Sequence, residues 1–168
     1  CGTWLSHPFG LELGEWWYNT FPRRILIETA VTTRTPSLAL LFYVMNANVV
    51  RISVDEKPLA PGCPTRCLVL DENWQTLKHQ ESEEERLRDF QLSDTLKQQC
   101  LAVARSIGSQ FRSARIDLII GDDGRIYLNE VTLSSSAGKP WLDRKEDQRM
   151  GRLWRGADLF DLSQAIEP

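Results

Sequence analysis

The sequence predicts an α+β domain: an antiparallel β-sheet with helices packed on one face. Three observations predict it. Two pairs of apolar runs close over short turns and read as hairpins, one around Asn46-Ala47-Asn48 and one around Gly121-Asp122-Asp123-Gly124. A run opening at Ser93 has apolar residues spaced by three and four, the period of a helix with one buried face. Finally, 168 residues at 42% hydrophobic composition suffice for one core or two small lobes.

The aromatic, glycine-punctuated stretch Trp4 to Tyr18 has no sustained period, and residues 1–23 read as an irregular lead-in. Arg24 to Val31 (RILIETAV) is β-branched and apolar and reads as a strand, closed by the polar turn Thr32 to Pro36. LALLFYVM and VVRISV follow as two strands, because Asn tolerates the left-handed backbone of a tight turn. Pro58 to Pro64 is a loop, Arg66 to Leu70 a short strand and Asp71 to Trp74 a turn. The charge run Glu81 to Arg88 reads as a solvated loop or helix face. Ser93 caps a helix over Asp94 to Ile107, with Leu96, Cys100, Leu101, Ala104 and Ile107 on its apolar side and Gly108 as its stop. Ala114 to Ile120 and Arg125 to Val131 form the second hairpin. These elements make a domain over 24–138, followed by a polar loop and a short helix, Asp158 to Ile166, within 139–168.

Composition narrows the function. With 20 Lys and Arg against 23 Asp and Glu, the net charge is −3, which gives no support to a nucleic-acid partner. No apolar run approaches the roughly 18 residues that span a bilayer, and the reading is a cytoplasmic chain without a membrane span. Four cysteines in this length are not a disulfide framework. Cys63 and Cys67 lack the further ligands of a zinc site, since His7 and His79 lie far off in sequence. Cys1 in place of Met is the mark of a processed product, an excised fragment or a trimmed chain.

The second hairpin carries the chemistry. With Asp122-Asp123 at the turn, Arg115 falls opposite Glu130 and Asp117 opposite Leu128. Alternation then places Arg115, Asp117, Glu130 and Thr132 on one face, and Ile116, Leu118, Ile120, Tyr127 and Val131 on the core face. Two carboxylates and a hydroxyl in a row suit Mg²⁺, which binds through one or two carboxylates plus substrate phosphates. The same residues also read as an Arg115–Glu130 cross-strand ion pair with Asp117 solvated. A one-residue slip would carry Glu130 into the core.

Five short motifs stand in order: Glu15-Trp16-Trp17-Tyr18; Pro22-Arg23-Arg24-Ile25-Leu26-Ile27-Glu28; a hairpin; Leu70-Asp71-Glu72-Asn73-Trp74; and Arg115-Ile116-Asp117-Leu118 through Tyr127-Leu128-Asn129-Glu130-Val131-Thr132. Together, over residues 15–138, they resemble the TupA-like branch of the ATP-grasp superfamily, ATP-dependent carboxylate–amine ligases named for a protein of cell-wall teichuronopeptide synthesis. The resemblance implies the C-terminal half of an ATP-grasp fold, with a nucleotide pocket on the sheet face opposite the helices. It implies that ATP phosphorylates a substrate carboxylate and that an amine displaces the phosphate, on a small molecule, an amino acid or a cell-surface polymer. By the same resemblance Glu28 and the backbone of Thr29, Ala30 and Val31 read the adenine edge, and Asp117, Glu130 and Thr132 hold magnesium. Arg115 steadies the acyl phosphate or the developing phosphoryl charge, and the loop Ser134 to Gly138, with Ser134 and Ser135, borders the acceptor site.

The chain departs from that pattern in two places. Ala39-Leu40-Leu41 stands where the family has a phosphate-contacting Lys or Arg, and Arg51 across the hairpin is the expected substitute. The family's N-terminal lobe has no counterpart before Trp4, so it is cut away, supplied by a second chain, or lost along with nucleotide binding. Two other readings therefore stay open: a degenerate ATP-grasp domain that only binds, and an amide hydrolase using the Cys1 thiol and its free amine.

Overall fold

The computed structural model describes residues 5–7, 10, 19–20, 22–57, 63, 66–77, 85–88, 90–135 and 144–155. Its elements are β1 (Leu38–Met45), β2 (Asn48–Glu56), β3 (Arg66–Leu70), β4 (Glu85–Arg86), α1 (Asp94–Gly108), β5 (Ser113–Ile120), β6 (Ile126–Thr132) and α2 (Arg144–Arg155). The strands form one sheet in the order β4-β3-β2-β1-β5-β6. Every pairing is antiparallel except the short β3–β4 contact, so the α+β, antiparallel expectation holds.

The central strand explains the layering. Ala39 to Met45 are all buried, because β1 is covered on both faces, and its sequence is accordingly apolar without alternation. Leu40, Phe42 and Val44 face α1 and join Ile52, Val54, Cys100, Ile116 and Leu118 in the main core. Ala39, Leu41, Tyr43 and Met45 face the other way, where Val50 and Met150 of α2 meet them. The β1–β2 turn places Asn46 at φ 52° and Ala47 at φ 65°, as a two-residue hairpin turn requires.

Helix α1 starts as its sequence predicts, with Ser93 Oγ accepting a hydrogen bond from Leu96 N at 3.3 Å. Its buried residues are Cys100, Leu101, Ala104 and Gly108. Gly108 differs in role from the expected stop. It is the last helical residue, and a Cβ there would come within 2.5 Å of Val44, so glycine lets the helix touch β1. Burial in this interface pushes the Cys100 thiol up to about 11.

Three expectations need correction. Arg24 to Val31 forms no strand: it runs as irregular chain with Leu26 83% and Ile27 90% exposed, because β-propensity does not supply a partner strand. The charge run is not wholly solvated, since Glu85–Arg86 pairs with β3 and Leu87 is buried. The face opposite α1 is not all open, because α2, which the sequence reading did not foresee, covers one end of it. Trp4 to Tyr18 apart from Leu5 to His7, Gly10 and Asn19 to Thr20 nearby, most of Pro58 to Pro64, Asp158 to Ile166 and Cys1 lie outside the described residues. No helix among the described residues is long and apolar enough to cross a membrane.

Helix α2 is too polar to dock by its apolar side chains alone. Glu146 accepts from Arg51 Nη1 at 3.3 Å and from Arg149 Nη2 at 2.8 Å, and Arg149 Nη2 also donates to Val50 O at 2.8 Å. Asn46 Nδ2 donates to Leu153 O at 3.2 Å near the far end. Burial pushes the Glu146 carboxyl up, but Arg149 and Arg51 outweigh it and hold the carboxyl below its ordinary 4.5. A depressed carboxyl contributes stability above its unfolded value and loses it as pH falls through the folded one. Replacing Glu146 by Gln is therefore expected to cost about 2 kcal/mol at pH 7. In urea unfolding the gap between wild type and variant should shrink as pH falls below 4.5.

Candidate functional site

The face of the sheet away from α1 carries the polar residues in cross-strand rows. One row runs Arg51, Tyr43, Arg115, Thr132 from β2 through β6, and the next runs Ser53, Leu41, Asp117, Glu130. Both rows exist because β6 contains a bulge. From the turn outward Ile120 pairs with Ile126, Ile119 with Tyr127 and Leu118 with Leu128; the register then shifts, and Asp117 pairs with Glu130. Asn129 is the extra residue that the ladder skips.

This corrects the expected register while keeping the expected face. Arg115 lies opposite Thr132, not Glu130, and Asp117 opposite Glu130, not Leu128. Tyr127 lies on the face of Ile119 and not on the core face, where Ile126 takes its place against Ile120. Unbroken alternation from Leu128, the partner of Leu118, would have set Glu130 on the α1 side of the sheet.

Arg115 organises the cluster. Its Nε donates to Asp117 Oδ1 at 2.7 Å and its Nη2 to Asp117 Oδ2 at 2.8 Å, a two-point pair. Nη2 also reaches Thr132 Oγ1 at 3.3 Å and lies 3.8 Å from Glu130 Oε2. Nη1 donates to Ser135 Oγ at 3.2 Å. Thr132 Oγ1 in turn donates to Glu130 Oε1 at 2.6 Å. The expected alternative, an Arg115–Glu130 pair with Asp117 solvated, is inverted: the Asp117 side chain is 6% exposed and that of Glu130 49%.

Burial pushes the Asp117 carboxyl above its ordinary range despite the pull of Arg115, with neighbouring Glu130 adding to the rise. Burial would lower Arg115, but Asp117 outweighs it, so the guanidinium stays charged. Tyr43 is pushed up by burial, against the hydrogen bond it shares with Ser135.

Of the other candidates, Glu28, Thr29 and Ala30 are exposed on irregular chain, while half-buried Val31 lies against Gly121 at the hairpin turn. Arg51 is 5% exposed and committed to Glu146, with its guanidinium 5.9 Å from the centre of the Tyr43 ring. Ser134 follows β6 beside Ser135, and residues 136–138 of the expected acceptor loop lie outside the described residues. Sequence reasoning missed Tyr43, whose signal was its place opposite Arg115 in the β1–β5 register. It also missed Glu146 and Arg149. A cavity of about 640 Å³ lies on the α1 side between Leu68, Trp74 and Phe90, remote from these carboxylates in the layering. The polar cluster, not that cavity, gathers groups able to hold a cation.

The donors test what the cluster could hold. Among the described residues no group of three or more His, Cys, Asp or Glu is set to hold a metal. Two carboxylates and a hydroxyl are all oxygen, and they fit Mg²⁺ completed by phosphate and water better than zinc.

No protein-family model matches the chain, and no curated protein does. Among the solved structures that match are those of two proteins. One is the ATP-grasp ligase PsnB with a minimal precursor, at 15% identity and TM-score 0.38, covering 74% of this chain and 37% of that one. PsnB with its precursor peptide PsnA2 and AMPPNP matches at 17% identity and TM-score 0.33, covering 71% and 30%. The other is the macrocyclase MdnB from Microcystis aeruginosa MRC, at 15% identity and TM-score 0.32, covering 93% and 47%. This chain thus spans a third to a half of the length of the structures it matches.

Removing Asp117 strands the Arg115 guanidinium, whereas Glu130 is half exposed. Asp117→Ala should destabilise the fold by roughly 3 kcal/mol. Glu130→Gln should cost under about 1 kcal/mol. Denaturant midpoints of the two variants check the difference.

Proposed function

We propose that this chain is the nucleotide- and metal-binding part of an ATP-dependent carboxylate–amine ligase of ATP-grasp type. The observation that carries the reading is the convergence of Asp117, Glu130, Thr132 and Arg115 on one sheet face. It stands beside the ordered motifs that resemble the TupA-like branch. Asp117 and Glu130, with Thr132, would hold Mg²⁺. When bound, Mg²⁺ draws charge from phosphate oxygens during phosphoryl transfer.

This chain's own residues supply the rest. Arg115 presents its guanidinium to the carboxylate that becomes an acyl phosphate, and orients it for attack by an amine. Glu28 accepts from the adenine amino group, and the backbone of Thr29, Ala30 and Val31, which pairs with no strand, offers donors and acceptors to the base edge. Ser134 and Ser135 border the acceptor. The substrates are a carboxylate and an amine on a small molecule, an amino acid or a cell-surface polymer, and ATP use places the work in the cytoplasm. The remaining parts of the nucleotide clamp come from a lobe outside residues 1–168 or from a second chain.

A second reading, a domain that binds without catalysis, is favoured by one observation. Leu41 stands apolar and 8% exposed where a phosphate-contacting cation is expected, and its substitute Arg51 is engaged by Glu146. Calorimetric titration of the full protein with Mg²⁺·ATP, together with a phosphate-release assay on amine and carboxylate mixtures, separates the two. The ligase reading expects binding that Asp117→Asn and Glu130→Gln each weaken at least about tenfold, with turnover falling about a hundredfold or more. Binding without turnover would favour the second reading, and no binding would overturn the first.

A further inference from the structure

The oxygens assigned to magnesium already surround a cation. Arg115 Nη2 lies 2.8 Å from Asp117 Oδ2, 3.3 Å from Thr132 Oγ1 and 3.8 Å from Glu130 Oε2. All three side chains therefore meet at one nitrogen of one guanidinium. We infer that Arg115 and a divalent cation hold this point in turn: cation binding withdraws the guanidinium from Asp117 and turns it toward an anion on the same face. The inference rests on the magnesium assignment above and adds to it an exchange.

The physical grounds are simple. Mg²⁺ needs its ligands at about 2.0–2.1 Å in octahedral geometry, a place that Nη2 fills while it bridges Asp117 and Thr132. Two cations held within a few ångströms in a partly buried site also repel strongly. Asp117 gives both carboxylate oxygens to Arg115, and a metal centred where Nη2 lies would take over the oxygen that Nη2 now holds. The guanidinium has a second anchor when it moves. Its Nη1 is held by Ser135 Oγ at 3.2 Å, on the side away from Asp117. Ser135 is itself fixed by a hydrogen bond with Tyr43, which is 8% exposed in the central strand. Released from Asp117, Arg115 stays tethered beside the loop at Ser134 and Ser135 with its Nε and Nη2 donors free for a phosphate or carboxylate. Linkage then requires cation and anion to raise each other's affinity by one common factor.

Side-chain NMR of the full protein tests the exchange without an activity assay. The Arg115 Nε–H signal is assigned by its disappearance in Arg115→Lys. Saturating Mg²⁺ should shift that signal and speed its exchange with water. Arg115→Ala should bind Mg²⁺ about tenfold more tightly than wild type, with Arg115→Lys between them, because a Lys competes without the two-point fork. Mg²⁺ should raise the affinity for inorganic phosphate about tenfold more in wild type than in Arg115→Ala, where only direct coordination by the metal remains. If Arg115→Ala fails to fold, Arg115→Lys and the wild-type signal decide. An Arg115 signal unmoved while Mg²⁺ binds, with binding lost in Asp117→Asn, overturns the exchange and leaves the metal site standing. Absence of Mg²⁺ binding in wild type and both variants overturns the metal site and the exchange together.

Discussion

The polar face depends on the bulge at Asn129. A strand places alternate residues on opposite faces, so regular alternation from Leu128, the partner of Leu118, would set Glu130 on the α1 side of the sheet, away from Asp117. One skipped residue reverses the parity and sets Glu130 beside Asp117 and Thr132 beside Arg115. The cost is local, one unpaired residue on an edge strand, where Asn129 is solvated. The result is a set of oxygens from two strands aimed at one point.

The rest of the sheet makes that face usable. Its other side is sealed by α1, held close through Gly108, so the core is complete without covering the polar rows. At the β1–β2 turn end, α2 closes part of the polar face through the Arg51–Glu146–Arg149 cluster and Met150. Buried charge is tolerated there because each guanidinium meets a carboxylate. The same logic governs Arg115 and Asp117, and the Glu130 side chain beside them is half exposed, so this pair lies next to an opening.

Legibility in the sequence followed the range of the interactions. Both hairpins and α1 were readable because their signals are local: Asn46 before a positive-φ turn, Gly124 at φ 75°, Ser93 as cap. The polar face was readable because alternation is local too, and Arg115, Asp117, Glu130 and Thr132 do converge. What failed was set by partners far along the chain. Ile25 to Ile27 have the composition of a strand and no strand beside them. Helix α2 docks mainly through Glu146 and Arg149, which in a sequence look like solvated charge. The bulge left no mark that alternation alone could find, since Asn129 is an ordinary exposed residue, and the place of Tyr43 beside Arg115 follows only from the β1–β5 register.

In the proposed site Asp117, Glu130 and Thr132 hold a divalent cation, and Arg115 fills its place in the metal's absence. The most direct measurement is a crystal structure of the full protein grown with Mn²⁺ and ADP, with anomalous scattering recorded at the manganese edge. The expected result is an anomalous peak in contact with oxygens of Asp117 and Glu130, and the Arg115 side chain turned off Asp117 toward Ser135. An absent peak, with Arg115 still bound at two points to Asp117, would contradict it.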